Sequence, residues 1–142
     1  MRPVDPYRAF RFKVELNGVQ IGGFSDVTGL EVSTEVEEYR EGGVNGYVHK
    51  IAKESRYPNL VLKRGITDST DLWLWHQEIV RGNVQRKTVS VILEDVQGRE
   101  KWRWVFYEAF PIKWSGSELN ATGNTVVVES IELVHHGMMK DR

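Results

Sequence analysis

In the stretch AFRFKVEL, Phe10, Phe12, Val14 and Leu16 alternate with Arg11, Lys13 and Glu15. A period of two sends successive side chains to opposite faces, so this pattern predicts a half-buried β-strand. Asn17-Gly18 is a tight-turn signal and VQIGGF returns as a second strand, making an opening hairpin. The stretch GLEVSTEVEEYR alternates again. Leu30, Val32, Thr34 and Val36 lie opposite Glu31, Ser33, Glu35 and Glu37, which predicts a long strand with an acidic outer row. NLVLKRG predicts a short strand that Gly65 ends. KTVSVILEDV and EKWRWVFYEAF flank a turn at Gln97 to Arg99 as a second hairpin, with Trp102, Trp104 and Phe106 on one face. PIKWSGSELNATGN reads as a turn-rich connector, and TVVVESIELVHH as the final strand.

One helix interrupts the strands. TDSTDLWLWHQEIVRGN offers Asp68 or Ser69 as N-cap, Asp71 in the first turn, Arg81 in the last and Gly82 as a stop. Leu72, Trp75, Ile79 and Val80 make an apolar face with His76 beside it. Trp73 and Leu74 fall off that face, so the helix is expected to touch something on a second side. The layout predicts a mainly β, two-sheet single domain over residues 1–142 with one flanking helix. One stretch escapes this regularity: Glu38 to Pro58 has no period at all.

Composition narrows the function. With 40% hydrophobic residues and five each of Trp, Tyr and Phe, the chain of 142 residues has the apolar surface to order itself around one core. Lys plus Arg total 19 against 20 Asp plus Glu, so no global field marks a nucleic-acid or anionic-membrane binder. Any electrostatic role must be local. No apolar run reaches the roughly 18 residues of a membrane span, and MRPVDPYRAF lacks the apolar core of a signal peptide; synthesis in the cytoplasm and no direct membrane anchor are expected. The absence of cysteine removes disulfides, thiolate metal sites and thiol nucleophiles.

The remaining chemistry is sparse. His135 and His136 are adjacent and point to opposite faces of a continuing strand, and neither they nor His49 and His76 have a carboxylate at ligand spacing, so no metal is expected. No G-x-S-x-G occurs, and Gly22-Gly23 and Gly42-Gly43 match no phosphate-binding pattern. The chain reads as neither an enzyme nor a cofactor carrier. Glu31, Glu35 and Glu37 read as a solvated row rather than an acid–base pair. Trp102 and Trp104 read as core, with a monomeric module that stacks carbohydrate or single-stranded nucleic acid on them as the alternative.

A long aperiodic segment within a compact domain usually carries function. Tyr39, Tyr47, Val48, Ile51 and Tyr57 supply apolar anchors there, and Lys50, Lys53 and Arg56 supply charge, a mixture suited to docking on another protein surface. Long alternating strands with few prolines also leave edges able to pair between subunits. Edge-to-edge pairing around an axis is heterologous and closes a ring, from which the spare segment reaches the ring above or below.

The stretches DPYRAFRFKVELNG, GGFSDVTGLEVSTEVEEYREGG, YPNLVLKRGITDSTDLWLWHQEI and PIKWSGSELNATGNTVVVESIELVHHG together resemble the tail-tube proteins of contractile phages and the inner-tube proteins of related contractile injection systems, over nearly the whole chain. The resemblance implies a β-barrel-like sandwich with a flanking helix, assembled as hexameric rings that stack into a hollow tube. It implies a contractile sheath, a baseplate and spike proteins as partners, and a cargo effector or DNA in the lumen. Assembly into a phage tail or an injection particle follows, as does a mechanical role in which sheath contraction drives the tube through a target envelope. By the same resemblance, residues 41–58 form an extended inter-ring loop, with Tyr39, Gly42, Gly43, Tyr47, Lys50, Lys53, Arg56 and Tyr57 as its contact residues. An acidic row of Glu31, Glu35 and Glu37 is compatible with a lumen lining. The tube of a type VI secretion system shares the general architecture.

Overall fold

A computed structural model describes residues 11–40, 42, 46, 48–117 and 126–140. The described elements run β1 (Arg11–Leu16), β2 (Val19–Phe24), β3 (Asp26–Thr28), β4 (Ser33–Tyr39), β5 (His49–Arg56), β6 (Leu60–Gly65), α1 (Asp71–Val80), β7 (Lys87–Glu94), β8 (Glu100–Gly116), β9 (Val128–Val134) and β10 (Met138–Lys140).

Asn17 and Gly18 turn the chain between β1 and β2 with φ of 50° and 82°, the positive values a two-residue hairpin turn requires. Asn17 Oδ1 accepts the Thr88 backbone N–H at 2.9 Å and docks this turn onto β7. Eight strands share one sheet in the order β2-β1-β7-β8-β9-β6-β3, with β10 on β8. A single residue, Ser25, joins the two ends of that order. Its N–H and its hydroxyl both donate to Lys63 O of β6, at 2.9 and 3.2 Å, so the sheet curls back on itself.

β8 is the spine of the curl. Its first half pairs with β7 and β10, and Phe110 to Gly116 pairs with β9. Between the halves, Glu108 at φ 53° and a register shift opposite Lys87 and Val89 mark a bulge that bends the strand. The connector expected from Pro111 onward is therefore strand as far as Gly116. Pro111, which lacks a ladder donor, is accommodated where the register with β9 shifts again.

Alternation fills the inside of the curl with Val14, Leu16, Leu60, Leu62, Val89, Val91, Phe106, Ile131 and Leu133, all buried. The helix closes one side with Leu72 and Trp75, whose indole N–H donates to Gln85 O at 2.8 Å. Its N-cap is Thr70, which makes no side-chain cap, rather than Asp68 or Ser69; in the first turn Asp71 Oδ1 accepts the Leu72 N–H at 2.7 Å. Gly82, at φ 89°, ends it as expected. The second-side contact of Trp73 is Trp114, edge to face with ring centroids 4.8 Å apart. Val80, at 66% exposure, lies outside the buried face.

Two charged residues hold inward-facing positions. Arg64 follows Leu60 and Leu62 on the same face of β6, and Glu129 precedes Ile131 and Leu133 on the same face of β9; the two stand directly opposite. The Arg64 guanidinium donates to Glu129 Oε1 at 2.6 Å, to Ile21 O at 2.8 Å and to Asp71 Oδ1, while Glu129 Oε2 accepts the Trp114 indole N–H at 3.0 Å. One guanidinium thereby ties β2, β6, β9 and α1 together. On the outer surface, Arg103 of β8 bridges Glu15 of β1 and Glu100, both at 2.8 Å, across the buried Ser90 of β7.

Candidate functional site

The sequence's aperiodic segment is half strand. β5 runs antiparallel to β4, and the two form a sheet of their own, with no ladder to the eight-stranded sheet. Lys53 and Glu54 stand together opposite Glu35, a bulge that accounts for the missing period in β5. Every residue of β4 is exposed, and all of β5 except the half-buried His49. Val36, Ile51 and Tyr39 remain 54, 47 and 44% accessible.

The base of this hairpin is clamped to the body. Gly29, at φ 102°, passes so close to the returning chain that a Cβ there would lie 2.3 Å from Asn59 O, so no larger residue fits. On the return side, the ring of His135 donates from Nε2 to Pro58 O and accepts the Gly137 N–H at Nδ1, both at 3.1 Å. Tyr57 lies edge to face on the same imidazole, with centroids 6.0 Å apart.

These positions sort the expected contact residues. Tyr39, Lys50 and Lys53 sit on the projecting strands, with Tyr39 stacked on His49 at 5.0 Å. Gly42 is exposed beyond β4; Gly43 and Tyr47 lie outside the described residues. Arg56 and Tyr57 belong to the base, not the tip, and Arg56 pairs with Glu35 at 3.2 Å. Glu35 and Glu37 lie on β4, but Glu31 precedes it, because the strand begins at Ser33. The even row of three along one strand is thus a pair.

No catalytic grouping gathers here. Among the described residues no cluster of three His, Cys, Asp or Glu is arranged to hold a metal ion. Trp102 and Trp104 tilt against each other with centroids 5.7 Å apart; Trp104 packs on the core, and Lys140 Nζ covers the Trp102 ring at 4.4 Å. Trp102, 36% exposed, is therefore not the core residue expected, and its contacts with Lys140 and Trp104 give the alternative of a stacking platform for sugars or bases no support. Sequence reasoning missed the Arg64–Glu129 pair, although a charged residue in phase with Leu60 and Leu62, and another in phase with Ile131 and Leu133, was visible in the alternation.

Residues 8–139 match the family model described as T4-like virus tail tube protein gp19. No curated protein matches the chain. Among solved structures, the chain resembles a component of the PVC sheath-tube complex of an extracellular contractile injection system in its extended state. The identity is 28% and the TM-score 0.82, covering 96% of this chain and 91% of that one. A component of the PVC sheath/tube terminator is similar at 27% identity and TM-score 0.84, with 98 and 99% covered. Hcp1 from Flavobacterium johnsoniae shares the fold at 17% identity and TM-score 0.57, with 92 and 94% covered.

Proposed function

We propose, from the premise that this chain belongs to the T4-like virus tail tube protein family, that it is the repeating wall of the inner tube of a contractile injection system. Copies close into hexameric rings, the rings stack into a hollow tube, and contraction of a surrounding sheath drives that tube through a target envelope with cargo or DNA in its lumen. The role is mechanical and the chain is not a catalyst. Sheath and baseplate are its partners, as the sheath-tube and terminator origins of the similar chains suggest. Glu31, Glu35 and Glu37 face the lumen, and residues 41–58 with Tyr39 reach the adjacent ring.

The observation that carries this reading is the hairpin β4–β5. A two-stranded hairpin is at best marginally stable alone, and this one leaves its apolar residues uncovered by the rest of the described chain. It requires a surface that another molecule supplies. Ser33 and Arg56 are register partners at its base, so residues 34–55 are replaceable by a two-residue Asn-Gly turn without straining the body. Purified wild-type protein is expected to form hollow rings or tubes by negative-stain electron microscopy. The hairpin-replaced variant is expected to keep its near-ultraviolet circular dichroism and remain monomeric. Normal tubes from that variant would overturn the role of the hairpin.

A further inference from the structure

The two strands of the projecting hairpin carry opposite charge. β4 bears Glu35, Glu37 and Glu38 and no cation; β5 bears Lys50, Lys53 and Arg56 against one carboxylate, Glu54. Within the hairpin, Glu35 pairs with Arg56 and Glu38 stands opposite Lys50. Among the described residues each strand has one ladder neighbour, the other, so each presents an outer edge whose backbone groups are left for another partner. One edge is acidic and the other basic.

We infer that these two edges recognise each other between copies of the chain: β4 of one subunit pairs with β5 of the next, and the charge code dictates that head-to-tail sense. Pairing of like edges would set Glu35, Glu37 and Glu38 beside their own copies, or the three cations beside theirs, and like charges directly across a strand pair are destabilising. Pairing of unlike edges instead places the acidic strand between two basic ones. The opposing strands then continue the antiparallel alternation already present in the hairpin. A contact between unlike surfaces is heterologous, so it propagates into a ring or filament and cannot terminate as a twofold dimer. The exposed Val36 and Ile51 gain cover from the same step. This inference rests on the tube reading and adds to it which strands meet, in which sense, and why the wrong sense is rejected.

A charge-swapped chain tests it: Glu35→Lys, Glu37→Lys, Glu38→Lys, Lys50→Glu, Lys53→Glu and Arg56→Glu together. The swap preserves attraction within each hairpin and between swapped copies, so this variant is expected to assemble alone. Mixed with wild type, it presents acid to acid and base to base at every head-to-tail contact. Native mass spectrometry of the mixture is expected to show two sorted populations, with mixed assemblies roughly tenfold or more below random mixing. Isologous pairing predicts the reverse, so abundant mixed assemblies overturn the inference while leaving the tube reading in place. A second measurement needs no variant. Wild-type assembly is expected to weaken at least severalfold as sodium chloride rises from about 0.05 M to about 0.5 M, and indifference to salt over that range overturns the inference. Wild-type chains that stay monomeric at every concentration overturn both readings.

Discussion

The loss of Arg64 is one the body tolerates poorly, because its guanidinium is buried among four elements. Its side chain is 6% exposed, and that of Glu129 is 5% exposed. Arg64→Met fits the apolar surroundings of Leu62 and Phe24, but leaves the Glu129 carboxyl with the Trp114 indole as its remaining named partner. Removing one side of a buried ion pair costs about 3–5 kcal/mol, because the other charge is neither hydrated nor compensated. Asp71, with a side chain 29% exposed, recovers water and adds little to that sum. A loss of about 3–5 kcal/mol is a large part of the roughly 5–15 kcal/mol that holds a domain folded. The double change Arg64→Met with Glu129→Met removes both buried charges and leaves the Trp114 N–H bond as the main deficit, about 1 kcal/mol. Urea unfolding followed by tryptophan fluorescence, at concentrations where the subunit is monomeric, measures Arg64→Met, Glu129→Met and the double variant without the added stability of assembly. A single-variant cost below about 1 kcal/mol, or a double variant equal to the sum of the singles, would refute the idea that one guanidinium couples these elements.

Gly29→Ala is expected to lower stability by at least about 2 kcal/mol, since it combines an unfavourable positive φ with a backbone clash at Asn59. It should also weaken tube formation by displacing the hairpin base; a wild-type melting temperature would disprove the account. Acid should loosen the outer surface. The Asp95 carboxyl is held below its ordinary 3.8, chiefly by the Arg99 backbone N–H, and the Glu100 carboxyl below 4.5 by its hydrogen bond to Arg103. A depressed carboxyl contributes stability above its unfolded value and loses it as pH falls through the folded one, so this contribution is complete above about pH 5 and declines below 4.5. Asp95→Asn with Glu100→Gln should flatten that acid limb in denaturant titrations, and an unchanged limb would exclude these groups as its source.

Alternation was legible in β1, β6 and β9, where one face of the strand is buried within the chain. Val14 and Leu16, Leu60 and Leu62, and Ile131 and Leu133 announced β1, β6 and β9, because burial on one side is what selects a period of two. The same logic explains the misses. HKIAKESR of β5 packs no face against its own body and carries a bulge, so nothing within the subunit imposes a period on it. The second half of β8 was obscured by Pro111, Ser115 and Gly116, residues typical of turns, and by two register shifts that break phase. Of the expected site, the segment between Glu38 and Pro58 stood out in the sequence by its length and charge. Its division into a projecting hairpin and a clamped base depends on Gly29, Asn59 and His135, which are distant in sequence and meet only in the fold.

The body and the hairpin divide the work of a tube subunit in physical terms. The body carries the core: its curled sheet returns on itself through Ser25, and Arg64 and the helix close its side. The hairpin has the opposite character, with open edges, exposed Val36 and Ile51, and no extensive packing against any other element. On the proposed reading, the hairpin that packs least against the core is a surface left for contact with other copies. Such edges are an aggregation hazard unless they are selective. Opposite charge on the two strands supplies that selectivity without covering either edge: random like-edge encounters are repelled, while the head-to-tail encounter gains backbone hydrogen bonds, apolar cover and charge pairing together. A few exposed ion pairs contribute little singly, but on the proposed tube reading the same contact repeated between many copies turns a modest preference into one sense of assembly.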